Sequence, residues 1–233
     1  MMVSDLTWPE VGALRAARPV LAVPVGSTEQ HGPQLPLSTD TDLAVALSAG
    51  LAARFPEVVV APALAYGASG EHAGFPGTLS IGQEALELVI VELCRSATET
   101  FERVVVINGH GGNVEPLRRA VTRLRGESRD IRLYLPRYDG DAHAGRTETS
   151  LQLALSPDRV RIGRIEPGNT RPLAEILPEL REGGVRAVSA NGILGDPVGA
   201  TAAAGARLLE CLISQLSEQI RQWWPEPVER IRP

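Results

Sequence analysis

The sequence predicts an α/β fold, a three-layer α/β/α sandwich around a mostly parallel central sheet. Two observations carry this. Short apolar runs such as Val104-Val105-Val106-Ile107 show no polar alternation, as expected of strands buried on both faces. Between them lie longer segments whose apolar residues recur every three to four positions, so strand and helix alternate along the chain. No break in composition and no internal repeat interrupts the alternation. Residues 1–233 are therefore read as a single domain, with a loosely held, Pro-Glu-Pro-containing tail at 225–233.

Thr7, Pro9 and Glu10 have the spacing of a capping box with proline in the first turn, opening a helix that reaches about Arg18. Residues 19–25 form a short buried strand, followed by a polar loop broken by glycine and proline over 26–39. Asp42, read chiefly as a cap, opens a helix to Phe55 on which Leu43, Leu47, Leu51 and Phe55 share a face. Residues 58–61 are a second strand and 62–79 a long loop. Ser80 and Gln83 signal another capping box, for a helix to about Thr100. Residues 103–108 are the central strand, with a helix following over 115–125. A fourth strand covers 131–135 and a short helix 148–155. The stretch 161–196 is loop-rich with one short helix over 173–180. A long helix, 201–224, carries the stripe Leu208, Leu212, Leu216 and Ile220.

The chain has 23 basic and 28 acidic residues, a net charge of −5, which disfavours a nucleic-acid surface. No stretch reaches 18 consecutive apolar residues, and the first residues lack the basic-plus-apolar pattern of an export signal, so neither membrane spanning nor secretion is expected. The two cysteines, Cys94 and Cys211, fall in predicted helices without zinc or Cys-x-x-Cys spacing, and read as buried thiols of a cytoplasmic protein.

All four histidines, His31, His72, His110 and His143, fall in glycine-containing loops between elements. In a doubly covered parallel sheet, loops beyond the strand ends are where ligands bind. Glu29 and His31 are two apart and share a side if the backbone stays extended. A carboxylate and an imidazole so placed suit one borderline cation, or one each of two neighbouring cations. Asp40 follows nine residues later. His110 sits at the mouth of the central strand in Asn108-Gly109-His110-Gly111-Gly112-Asn113, whose glycines have neither dinucleotide nor P-loop spacing. His143 lies in a loop, and Glu148 opens the next helix either as a ligand or as a complement to the helix N-terminus. Glu71-His72 is one further polar pair, without His-Glu-x-x-His spacing.

Together Glu29, His31, Asp40, His110 and Glu148 offer three carboxylates and two imidazoles, a set that suits a divalent pair with one bridging carboxylate. His143 is then available for proton transfer. No Ser or Cys occupies a nucleophile elbow, which leaves activated water as the nucleophile.

At these residues the sequence resembles the creatininase family. The matching stretches are GSTEQHGPQLPLSTD (26–40), NGHGGN (108–113) and HAGRTETS (143–150), in order across about 200 residues. The resemblance implies that Glu29, His31, Asp40, His110 and Glu148 ligate two divalent ions per subunit, with Asp40 as the bridge and the metal drawn from zinc, iron or manganese. It further implies a catalytic role for His143 and a homo-oligomer, often a hexamer. Two departures stand out. Creatininase itself has a ligating glutamate two residues after the NGH histidine, where this chain has Gly112. Creatininase also carries tryptophans over its substrate, and the segment before His143 has none.

A closer likeness is to the mycofactocin-system branch of the family, through AYGASGEHAGFPGTLSIG (65–82), GDAHAGRTETS (140–150) and EPGNTRPLAEILPELREGGVRAVSANG (166–192). That likeness implies a peptidase that releases a C-terminal Val-Tyr dipeptide from a modified precursor peptide, with that peptide and other maturation proteins as partners. Tyr66, Glu71, His72 and Phe75 are candidate substrate contacts, and Arg146 is a candidate for the terminal carboxylate. An amidohydrolase for a small cyclic amide or formamide, and a non-catalytic peptide-binding maturation factor, remain the alternatives.

Overall fold

The strands of the computed structural model, which describes residues 1–223, are β1 (Val20–Val25), β2 (Val58–Val60), β3 (Arg103–Asn108) and β4 (Asp130–Tyr134). All pair in parallel in the order β2-β1-β3-β4, with Leu21 opposite Val104 and Val25 opposite Asn108. The predicted tail at 225–233 lies outside the described residues, as does Trp224 at the end of the predicted last helix.

Side-chain alternation sorts each strand onto two faces, which explains the unbroken apolar runs. Leu21, Val23, Val25, Val104 and Val106 point to one face and pack on Leu86, Ile90, Val91, Leu117 and Leu124. These belong to two helices, Gln83–Ala97 and Val114–Gly126. Val20, Ala22, Val105 and Ile107 point to the other face, against Leu43, Leu47, Leu51, Leu151, Leu212 and Leu216. In chain order the helices are α1 (Trp8–Leu14), α2 (Thr39–Arg54), α3 (Gln83–Ala97), α4 (Val114–Gly126), α5 (Arg146–Leu155), α6 (Leu173–Val188) and α7 (Ala202–Trp223). Helices α3 and α4 form one outer layer; α2, α5 and α7 form the other. The three layers are those the sequence predicts. No described helix is long and apolar enough to cross a membrane.

The capping box at Thr7 forms, with the Thr7 backbone N–H donating to Glu10 at 2.7 Å. Several local expectations are corrected. Helix α2 starts at Thr39 rather than Asp42, placing Asp40 in its first turn. Asp42 does not cap it; its carboxylate accepts from Ser38, Arg159 and Gln152, tying α2 to α5 and the segment after it. Ser80 does not cap α3 either, because its hydroxyl oxygen accepts from the Ser69 and Gly82 backbones. Cys94 is buried as expected, whereas Cys211 is exposed on the outer side of α7.

Helix α6 is twice its predicted length and is broken at Gly184, whose φ of 69° lies in the left-handed region. It sits outside the two main layers. Its Ile176 and Val185 form a small separate core with Leu194, joined by Phe75, Leu180 and Val188.

Candidate metal centre

Strands β1 and β3 are neighbours and end together, so the loops leaving Val25 and Asn108 open at one edge of the sheet. The Gly109 N–H continues the pairing by donating to the Val25 carbonyl at 2.8 Å. A side chain at Gly109 would collide with the Asp40 carbonyl oxygen. The glycine therefore lets the start of α2 close against the end of β3, which brings Asp40 between the two loops.

Asp40 is buried, with Oδ1 3.1 Å from His31 Nε2 and Oδ2 3.0 Å from His110 Nδ1. The Ser27 hydroxyl donates to Oδ2 at 2.7 Å. Glu29 is fully buried, its Oε2 3.2 Å from His110 Nε2 and its Oε1 3.2 Å from His72 Nε2. Glu148, in the first turn of α5, places Oε2 4.0 Å from His31 Nε2 and accepts from the Ala144 N–H at 2.6 Å.

Three groups of donor atoms lie within 4.8 Å of one another: Glu29, Asp40 and His110; His31, Asp40 and Glu148; and Glu29, His31 and His143. All five predicted ligands are thus brought together, and Asp40 stands in two of the groups. Both Glu29 carboxylate oxygens are buried without a hydrogen-bond partner of acceptable geometry. A buried carboxylate left in this way is costly unless a cation completes it. The donor set, two imidazoles and three carboxylates, fits borderline divalent ions.

The charges respond to this crowding. Burial opposes the His31 cation, but Asp40, Glu148 and Glu29 around it carry its pKa up to about 10. Burial likewise opposes charge on His110, and the hydrogen bond and charge of Asp40 raise it to about 9. For Asp40, burial is outweighed by His31 and His110, which hold its carboxyl well below the usual range. Burial, then Asp40, pushes Glu29 up to about 7. Burial and the neighbouring histidines drive His72 down to about 3 and His143 well below its ordinary value.

Gln30, which local sequence pattern did not single out, organises the two neutral histidines. Its amide nitrogen lies 2.8 Å from His72 Nδ1 and 3.0 Å from the Gly192 carbonyl. His143 Nε2 lies 2.9 Å from the Gln30 carbonyl oxygen, so Nε2–H donates there and Nδ1 is the unprotonated nitrogen. That Nδ1 is 3.9 Å from Glu29 Oε1.

The cluster forms the floor of a cleft of about 860 Å³, lined among others by Glu71, His72, His110, His143, Glu148 and Arg181. Of the candidate substrate contacts, Glu71 and His72 line it. Tyr66 is exposed elsewhere, and Phe75 packs in the small core beneath α6. Arg146 is held by the Val198 carbonyl at 3.0 Å and does not line the cleft, a placement that does not support a role on a substrate carboxylate. Where the resemblance leads one to expect a glutamate at Gly112, the Glu71 carboxylate fills the space, with Oε1 3.5 Å from His110 Nε2. The described tryptophans, Trp8 and Trp223, lie away from the cleft.

A family model described as creatinine amidohydrolase, the creatininase model, matches residues 4–220. A mycofactocin precursor peptide peptidase of Mycolicibacterium smegmatis is 52% identical over 221 residues, covering 91% of this chain and 89% of that protein. A creatinine amidohydrolase of Pseudomonas putida is 30% identical over 259 residues, covering 97% and 98%. The solved structure described as "Creatininase Mn" superposes with a TM-score of 0.80 at 28% identity, over 96% of this chain and 98% of that one.

Proposed function

This chain belongs to the creatininase family, and from that premise we propose that it is a metal-dependent peptidase which removes the C-terminal Val-Tyr dipeptide from a modified mycofactocin precursor peptide. The observation that carries the reading is the sharing of Asp40 between two donor groups at the floor of an open cleft. The peptide substrate is supported by the cleft walls. Gly70–Ala73, Ala142-His143 and Leu173–Val185 supply them, and these fall in the three stretches that resemble the mycofactocin branch. No described tryptophan stands over the floor to enclose a small ring.

In this reading Glu29, Asp40 and His110 hold one divalent ion, and His31, Asp40 and Glu148 hold the other. Bound there, the pair supplies Lewis-acid polarisation and a nucleophilic water at neutral pH. The chain's own residues do the rest. Gln30 fixes the tautomer of His143, leaving Nδ1 to face the cleft as a base. His143 takes the proton released as water adds to the peptide carbonyl and passes it to the departing amine, so that one water becomes the new carboxylate and amine termini. His72, held neutral, sits beside the centre with its Nε2 3.2 Å from Glu29 Oε1. A cytoplasmic homo-oligomer belongs to the same reading.

The test is incubation of metal-loaded protein with a precursor-like peptide ending in Val-Tyr, and separately with creatinine, read by mass spectrometry. Release of Val-Tyr that stops on chelation and returns on adding metal is the expected result. Cleavage of creatinine alone would replace the peptidase with an amidohydrolase.

A further inference from the structure

One wall of the cleft is α6, which contributes the side chains of Leu173, Leu177, Leu180, Arg181, Glu182 and Val185. Spacing close to the helical repeat places the first four on one face. This face is fixed relative to the floor. Gly184 packs on the backbone of Glu71, whose carbonyl oxygen would stand 2.6 Å from a side chain placed there. Ile176 and Val185 anchor the helix in the small core with Leu194.

Arg181 is the arginine of this lining, and the other charged residues there, apart from the histidines, are carboxylates. Even so, its guanidinium has no ion-pair or hydrogen-bond partner among the described residues. Its neighbours on the same segment differ. Arg171 pairs with Glu175 and Glu179, and Arg186 donates to the Gly74 carbonyl at 2.7 Å. Arg181 is exposed to the cleft, and its rigid fork of five donors suits an anion of planar, bidentate shape.

We propose that Arg181 binds the free α-carboxylate of the peptide substrate, while Leu173, Leu177 and Leu180 receive the apolar side chains of its last residues. This rests on the peptidase reading and deepens it. An extended dipeptide spans at most about 7 Å, so a carboxylate held on the α6 wall sets how far from the chain end the peptide bond meets the floor. Arg181 is thereby the residue that makes the enzyme act on a chain terminus rather than within a chain.

The experiment compares two synthetic peptides ending in Val-Tyr, one with a free C-terminus and one amidated, on wild type, Arg181→Ala and Arg181→Lys. Wild type is expected to favour the free acid by about tenfold to a hundredfold in kcat/KM, the range of a charged hydrogen-bonded pair. Arg181→Ala is expected to lose that preference through KM with metal content unchanged, and Arg181→Lys to restore part of it. If wild type cleaves and Arg181→Ala keeps the wild-type acid-to-amide ratio, the assignment is overturned and the peptidase reading stands. If wild type cleaves neither peptide, both fall.

Discussion

Asp40 turns its two carboxylate oxygens to two histidines from different loops, Oδ1 to His31 at 3.1 Å and Oδ2 to His110 at 3.0 Å. It therefore stands in both of the donor groups proposed to hold an ion, and its loss differs in kind from the loss of Glu148 or His110, which stand in one. Asp40→Asn is expected to lower affinity for both ions by more than a hundredfold, whereas Glu148→Gln leaves one ion bound. Metal content after dialysis, with titration calorimetry, checks this. Retention of two ions by Asp40→Asn would remove it from the bridging role.

Metal loading should displace protons. Without metal, His31 and His110 stay protonated up to about 10 and about 9, through Asp40 beside them. Ligation needs the neutral imidazole, so affinity should fall as pH is lowered from 9 towards 6. Calorimetry in buffers of differing ionisation enthalpy should show net proton release at pH 7.5.

The same two histidines set the stability of the metal-free protein. Their folded pKa values are raised above the unfolded value near 6.5, so their stabilisation is complete below that pH and is lost as pH rises through about 9 and about 10. The melting temperature of the chelated protein is expected to drop between pH 7 and 10. A flat profile over that window would contradict the pairing with Asp40.

His143→Ala is expected to cut turnover by about a hundredfold to ten-thousandfold while keeping the metal content of wild type. Gln30→Ala, which removes the amide beside His72 but keeps the backbone carbonyl that holds His143, should cost about tenfold to a hundredfold in kcat. Loss of metal in His143→Ala would show that it serves as a ligand, as its place near Glu29 and His31 also permits.

Gly109→Ala tests the approach of α2 to the end of β3. The added methyl meets the Asp40 carbonyl oxygen, so the variant should be destabilised by about 1–3 kcal/mol and bind metal more weakly. Denaturant unfolding with metal analysis separates the two effects.

The layers were legible because the strands are buried on both faces and write themselves as unbroken apolar runs, as in Val104 to Ile107. The five proposed ligands were legible because each has a chemistry-bearing side chain at a strand end or in the first turn of a helix, beside a loop. The start of α2 was not, since Thr39 and Asp40 resemble a loop until Gly109 lets that turn pack on β3. Gln30 was hidden for a similar reason: its partners His72, His143 and Gly192 lie 42, 113 and 162 residues away. Arg181 escaped notice because an arginine on a polar helix reads as solvated surface, and only the fold turns it toward the cleft.

The small core under α6 has a bearing on how this scaffold diversifies. Ile176, Val185 and Leu194 pack with Phe75, Leu180 and Val188 apart from the two sheets of side chains that hold the sandwich together. Mutations that reshape this wall leave the two sandwich cores untouched but reach the catalytic floor through Leu194, whose backbone pairs with that of His143.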